Sequence, residues 1–342
     1  VNIINTTPTE TKATTAVVEK NASLGGATAV ASDFDGDGKS DRVVVRKTGA
    51  GRYGQLTWYI QRSSDGGVSY YNWGYGEDRL VAADYDGDGK TDVAVWRADE
   101  NTNNYGVFYI LNSSNSSVTA RQFGVKGDDP SIVADYDGDG KADIAVYREG
   151  TTENPQSVFY ILSSINGGFG GYSWGIKGDE PCVGDYDGDG KADPCVRRGY
   201  GKNPATFYVM KSGGGYIFNS YGFGSDQIVN ADYDGDRKTD FAVIRAQEQV
   251  TSSPSIDWFI QTSGGQYYGL TFGLGGEFGD RPTVGDYDGD GRSDVAVWRP
   301  KEGSANNTSV FYTYNAAGFS AAQWGLPDDK PVNSTGYLSK LP

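Results

Sequence analysis

The sequence predicts an all-β fold, a β-propeller of four-stranded antiparallel blades, on three observations. A nine-residue acidic string returns six times, its first Asp recurring at intervals of 51, 51, 50, 47 and 54 residues. Each interval carries four strand signals, a period and content that suit one propeller blade. The 342 residues include 50 Gly together with 24 Tyr, 14 Phe and 7 Trp, a pairing that suits many short strands joined by tight turns.

The string reads Asp, aromatic, Asp, Gly, Asp, then Gly or Arg, then Lys or Arg, any residue, and Asp. Carboxylates fall at positions 1, 3, 5 and 9: Asp33, Asp35, Asp37 and Asp41 in the first loop, Asp84, Asp86, Asp88 and Asp92 in the second, Asp135, Asp137, Asp139 and Asp143 in the third. Asp185, Asp187, Asp189 and Asp193 follow in the fourth, Asp232, Asp234, Asp236 and Asp240 in the fifth, and Asp286, Asp288, Asp290 and Asp294 in the sixth. Position 7, which is Lys39, Lys90, Lys141, Lys191, Lys238 or Arg292, is left to offer a backbone carbonyl. Each pair of carboxylates at about 4 Å costs ~1 kcal/mol even in bulk water, so an empty loop resists closing. A hard, oxygen-seeking cation relieves that repulsion, and a flexible multidentate carboxylate cage suits calcium better than magnesium. A plain turn needs only one or two such residues. Up to six calcium ions are expected.

The helix-loop-helix calcium hand places a bidentate Glu at loop position 12. Here that position is Val44, Val95, Val146, Val196, Val243 or Val297, in apolar contexts such as Val93–Arg97, so the loop exits into a strand. The fifth loop has Arg237 where the others have glycine at position 6. If that position requires positive φ, a non-glycine costs on the order of 1 kcal/mol, and this loop is expected to bind most weakly or to be distorted.

Within each unit, strand 1 is the apolar run before the loop, as in 80–83, and strand 2 follows the loop. Strand 3 is the aromatic run at 58–60, 108–110, 159–161, 207–209, 258–260 and 311–313. Strand 4 ends at an aromatic-glycine pair: Trp73-Gly74, Phe123-Gly124, Trp174-Gly175, Tyr221-Gly222, Phe272-Gly273 and Trp324-Gly325. Residues 25–326 thus hold six units, flanked by an N-terminal extension, 1–24, and a C-terminal strand or tail, 327–342. The tail starts like another unit at Asp329 but has Thr335 where the first ligand Asp should stand. Six blades are favoured; the alternative is seven, with a composite blade built from the tail and the β-prone residues 14–19.

These loops and strands resemble the FG-GAP and VCBS repeat families, the calcium-bearing propeller repeats of integrin α-subunit heads and of many secreted bacterial proteins. The resemblance covers roughly residues 25–332 and rests on the D-x-D-G-D-G-x-x-D loop between the first two strands of a blade. It implies a calcium-stabilised propeller in an extracellular setting. It does not settle function, because such propellers serve as adhesion heads, lectins, spacers and enzyme scaffolds alike.

Net charge is −15, and six divalent ions would bring it to −3, so the acidity reads as provision for metal. No basic patch or aromatic-basic stripe speaks for nucleic acid. No apolar stretch approaches eighteen residues, so no membrane span is expected. The chain begins at Val1, which reads as a mature, exported product. Weak calcium sites also belong outside the cytosol, and the expected location is extracellular, secreted or cell-surface. The two cysteines, Cys182 and Cys195, flank the fourth loop where the second unit has Val81 and Ala94, positions that face each other across two strands. A disulfide is expected between them, which fits an oxidising compartment.

Antiparallel alternation puts the acidic loops and the strand 3 to 4 turns on one face, and the strand 2 to 3 loops and the linkers on the other. A protein or glycan ligand is expected on the second face, where the loops vary most. Arg46, Arg97, Arg148, Arg198, Arg245 and Arg299 recur thirteen residues after each first ligand, and Asp78, Asp128, Asp179, Asp226, Asp280 and Asp329 precede strand 1. They are expected to pair, in a structural role, on that same face. With 0 His the chain lacks the usual acid-base residue at neutral pH. The function expected is therefore non-enzymatic, in adhesion or surface assembly, with self-association into a filament through the terminal strands as one route. The alternatives are a carbohydrate-binding lectin, from the many Tyr and Trp, and a polysaccharide lyase, with the insertion around Glu277 as the place for an asymmetric site.

Overall fold

The computed structural model describes residues 32–99, 103–247, 254–275, 279–301 and 308–332. The N-terminal extension, Glu277 and Thr335 lie outside the described residues. The described chain is all strand and turn, and no helix in it is long and apolar enough to cross a membrane.

Six small antiparallel sheets form a ring. The first blade orders Lys330–Pro331, Arg42–Thr48, Gln55–Gln61 and Val68–Tyr75 from the inner strand outward. The second runs Arg79–Leu80, Val93–Arg97, Tyr105–Leu111 and Val118–Val125. The third has Ile144–Arg148, Gln156–Leu162 and Phe169–Ile176, its inner strand reduced to a bridge between Asp129 and Tyr147. The fourth comprises Glu180–Pro181, Cys195–Arg198, Pro204–Met210 and Tyr216–Phe223, and the fifth Gln227–Ile228, Phe241–Ala246, Ser255–Gln261 and Tyr267–Leu274. Arg281–Pro282, Val295–Arg299, Val310–Asn315 and Gly318–Gln323 make the sixth.

The burial pattern explains why each strand has its composition. Second strands are apolar and buried up to their terminal Arg, as in Val93–Arg97, whose first four residues are buried. Third strands alternate: Tyr105–Leu111 buries Gly106, Phe108 and Ile110 and leaves Val107, Tyr109 and Leu111 half-buried. The repeated aromatics Trp58, Phe108, Phe159, Phe207, Trp258 and Phe311 are at most 1% exposed. Trp58 packs on Val93 and Val95 of the next blade, and burial of each such ring contributes roughly 1.5–3 kcal/mol.

The seven-blade alternative is corrected by the strand pairing. Lys330–Pro331 pairs antiparallel with Arg42–Thr48, matching Val45 to Lys330 and Val44 to Pro331, and Val332 N–H donates to the Val43 carbonyl at 2.9 Å. The C-terminal segment does begin a unit, but that unit is the first. Its strand satisfies backbone groups that would otherwise leave the first blade with an open inner edge.

Candidate metal centres

Each acidic loop is shaped by its own backbone. The position 1 carboxylate accepts the N–H of position 4 on one oxygen and that of position 6 on the other, as Asp33 does from Gly36 at 2.6 Å and Gly38 at 2.9 Å. The position 9 carboxylate accepts the N–H of position 2, as Asp41 does from Phe34 at 2.8 Å. Position 7 donates its own N–H to the position 5 carboxylate, Lys39 to Asp37 at 2.9 Å. All six loops repeat these bonds. Four bonds within nine residues aim the acidic side chains inward.

The result is a cage of oxygen. In the first loop Asp33, Asp35 and Asp37, and in loops two to five the carboxylates at positions 1, 3 and 9, bring oxygens within 4.8 Å of one another. Burial pushes the position 9 carboxyls up, against their backbone donors and with help from neighbouring carboxylates: to about 6 for Asp41, Asp143 and Asp193 and to about 7 for Asp240 and Asp294. Asp84 at position 1 also rises to about 6. Asp187 Oδ1 is buried and accepts no hydrogen bond among the described residues, a lone pair aimed at nothing the chain provides. An all-oxygen donor set of crowded carboxylates fits a hard divalent cation such as calcium.

Arg237 holds φ at 67°, the left-handed region its five glycine counterparts occupy, as at Gly38 with 85°. Its loop is not distorted. Arg237 N–H donates to Asp232 at 2.8 Å and Tyr233 N–H to Asp240 at 2.8 Å, the same bonds as in the other five.

Sequence reasoning missed the serines opposite the cages. In the strand 3 to 4 turns, the N–H groups of Ser63, Ser113, Ser164, Ser212 and Ser263 donate to the position 9 carboxylates at 2.6–2.7 Å. The Ser63 hydroxyl also donates to Asp37 at 2.8 Å, and that of Ser64 to Asp35 at 2.6 Å. The sixth turn has no serine, and Asn315 Nδ2 reaches Asp294 at 3.4 Å instead. A Ser five residues past the buried strand 3 aromatic was the available signal.

The loops also bond to one another. The position 8 N–H of each donates to the position 1 carbonyl of the preceding loop: Thr91 to Asp33, Ala142 to Asp84, Ala192 to Asp135, Thr239 to Asp185 and Ser293 to Asp232, at 2.6–2.7 Å. Ser40 donates to Asp286 at 2.6 Å and closes the circle. The position 7 side chain crosses the position 4 glycine of the preceding loop, so that a Cβ at Gly36 would lie 3.0 Å from the Lys90 stem. Lys141, Lys191, Lys238, Arg292 and Lys39 cover Gly87, Gly138, Gly188, Gly235 and Gly289 in the same way.

On the opposite face the expected Arg–Asp pairs form in every blade. Arg46–Asp329, Arg97–Asp78, Arg148–Asp128, Arg198–Asp179, Arg245–Asp226 and Arg299–Asp280 are two-bond forks at 2.6–2.9 Å. The Asp side chains are at most 3% exposed, and each also accepts an N–H from the end of the preceding blade, as Asp78 does from Tyr75 at 2.8 Å. Each guanidinium lies over a strand 3 ring, Arg46 over Tyr59 at 4.6 Å and Arg97 over Tyr109 at 4.9 Å.

Cys182 and Cys195 face each other as expected, Cys182 N–H donating to the Cys195 carbonyl at 2.8 Å. No disulfide bond joins them in this structure: both side chains are buried, with sulfurs 2.9 Å apart.

A family profile described as the FG-GAP-like repeat matches residues 33–95, 84–146 and 232–297. Each stretch runs from the first Asp of one loop into strand 2 beyond the next loop. No curated protein matches the chain. Among solved structures, a protein from Lactobacillus plantarum is 10% identical over 84% of this chain and 82% of its own, at a TM-score of 0.36, a likeness too slight to carry an argument.

Proposed function

The chain belongs to the FG-GAP-like repeat family, and from that premise we propose that it is a calcium-stabilised, non-enzymatic propeller acting outside the cell in adhesion or surface assembly. The observation that carries this reading is the closed belt of six loops, from Thr91–Asp33 round to Ser40–Asp286. Bound calcium would supply the charge that lets four carboxylates share each loop. The loops themselves hold strands 1 and 2 of a blade together and tie each blade to the next. That assigns the acidic face to architecture and leaves the other face and the chain ends for partners. Carboxylate cages of this kind suit the millimolar calcium of extracellular fluid.

Assembly is favoured by how the ring closes. Lys330–Pro331 takes the inner position of the first blade, and the β-prone residues 14–18 would pair with a second copy. Light scattering in calcium, on the full chain and on a chain lacking residues 1–24, tests this. Polymers that depend on residues 1–24 support it; a monomer in both cases removes self-association and leaves adhesion to other partners.

The lectin reading keeps one specific observation in its favour. A cleft of about 420 Å³ between the fourth and fifth blades is lined by Tyr221, Phe223, Arg245, Phe259, Tyr267 and Tyr268, faces on which a sugar ring can stack. Binding on a glycan array that is lost in Tyr267→Ala and Tyr268→Ala would favour it over assembly.

A further inference from the structure

The residue after each linker Asp starts an inner strand and stands at the channel mouth on the face opposite the acidic loops. In ring order these residues are Lys330, Arg79, Asp129, Glu180, Gln227 and Arg281. Five of the six are charged, and they are not mixed around the ring. Arg281, Lys330 and Arg79 belong to the sixth, first and second blades, which are consecutive, so three cations share one arc. The acids of the other arc are engaged: Glu180 pairs with Arg197, and Asp129 accepts the Ser131 N–H at 3.0 Å.

The cationic arc is held in place. Arg281 lies over the Trp298 ring at 5.4 Å and donates to the Asp329 carbonyl at 3.4 Å, which sets its guanidinium beside the strand that begins at Lys330. Lys47, on the strand paired to that one, lays its stem over Gly76, where a Cβ would come within 2.6 Å of it. The Lys330 ammonium is pushed below the ordinary lysine range, first by partial loss of water at the mouth and then by the charges of Arg281, Arg79 and Lys47. Among the described residues Lys330 has no carboxylate partner. Three like charges on one arc raise the local potential there and concentrate the opposite ion, even in a chain whose net charge is −15.

We propose that the channel mouth opposite the acidic loops is an anion-binding site, in which Lys330, Arg281, Arg79 and Lys47 receive a carboxylate or sulfate group. Arg281 and Arg79 offer planar forks suited to an oxyanion, and Lys330 a central point charge. Such a group could arrive as a free inorganic ion or on an acidic sugar. The site is independent of the cages, because none of its residues is a cage residue.

Isothermal titration of the calcium-loaded full chain with sodium sulfate and, separately, with glucuronate, at ionic strength held constant with sodium chloride, tests the proposal. Saturable binding is expected, sulfate alone indicating an inorganic ligand and tighter glucuronate an acidic sugar. Lys330→Gln and Arg79→Gln should each weaken it about tenfold, the loss of roughly one charge contact. Lys330→Arg should retain it, and Lys211→Gln, remote at the fourth acidic loop, should leave it unchanged. Absence of saturable binding by both anions, or equal binding by the folded Gln variants, would overturn the proposal.

Discussion

Arg237 carries a side chain at a backbone angle that favours glycine, yet its loop keeps every hydrogen bond of the other five. A Cβ at the equivalent Gly38, Gly89, Gly190 and Gly291 meets nothing within 4 Å, so the conflict is one of φ alone. Arg237→Gly should therefore stabilise the protein by about 0.5–1 kcal/mol and tighten calcium at the fifth loop, both measurable by denaturation and calcium titration. The position 9 carboxyls set a second expectation. Their ordinary value is 3.8, and burial raises it to about 6 or 7 in the folded, calcium-free chain. The folded state then holds its protons more tightly than the unfolded one. The stabilisation is complete below about pH 4 and is lost as pH rises through 6 to 7. In EDTA the melting temperature should fall between pH 5 and 8, whereas in saturating calcium, which requires ionised ligands, the fall should vanish and affinity should climb. A calcium-free melting curve that is flat across that window would contradict it. The oxygen cages were legible because each loop carries its chemistry in nine consecutive residues; the serines were not, because they approach from a turn 19 to 23 residues away.

Between loop and ring, the element that recurs is the Arg–Asp fork. Its legibility came from register, since an Arg at a constant offset from the acidic loop and an Asp at the head of the inner strand paired with it cannot avoid each other once the strands pair. Asp78 is 3% exposed in its side chain and Arg97 18%, so Arg97→Ala leaves a buried carboxylate without its counter-charge. A loss of about 2–4 kcal/mol is expected, and a much smaller one for Arg62→Ala, whose partner Asp65 is exposed; chemical denaturation in calcium distinguishes the two. The cysteine pair belongs to the same scale. Paired strands brought Cys182 and Cys195 together where the repeat said they would, but adjacency in a blade does not decide oxidation state. Mild oxidation is expected to join them, read as the loss of two hydrogens by mass, and to leave the fourth acidic loop between them able to bind calcium.

At the scale of the ring, the belt and the closing strand make the six blades one cooperative body. Excess EDTA should lower the melting temperature broadly, because each empty loop weakens its own blade and the bond to the next; an unchanged melting temperature would refute a structural role for the cages. Removing residues 329–342 should do more than any single substitution, since it deletes the Arg46–Asp329 fork, the pairing of Lys330–Pro331 with the second strand and the burial of Val332. Hydrogen exchange should then rise first in the first and sixth blades. The sequence by itself determined the repeat, the blade as its unit, the oxygen cages and the Arg–Asp pairs, because each arises from contacts within one period of about 50 residues or between neighbouring periods. Only the tertiary structure decided how the ring ends. Whether residues 329–332 start a seventh blade or complete the first depends on Lys330 meeting Val45 across nearly the whole chain, and no local pattern encodes a contact at that separation. The same holds for Ser40 bonding Asp286 and for the cationic arc at the channel mouth, whose residues come from three different blades and become neighbours only when the circle closes.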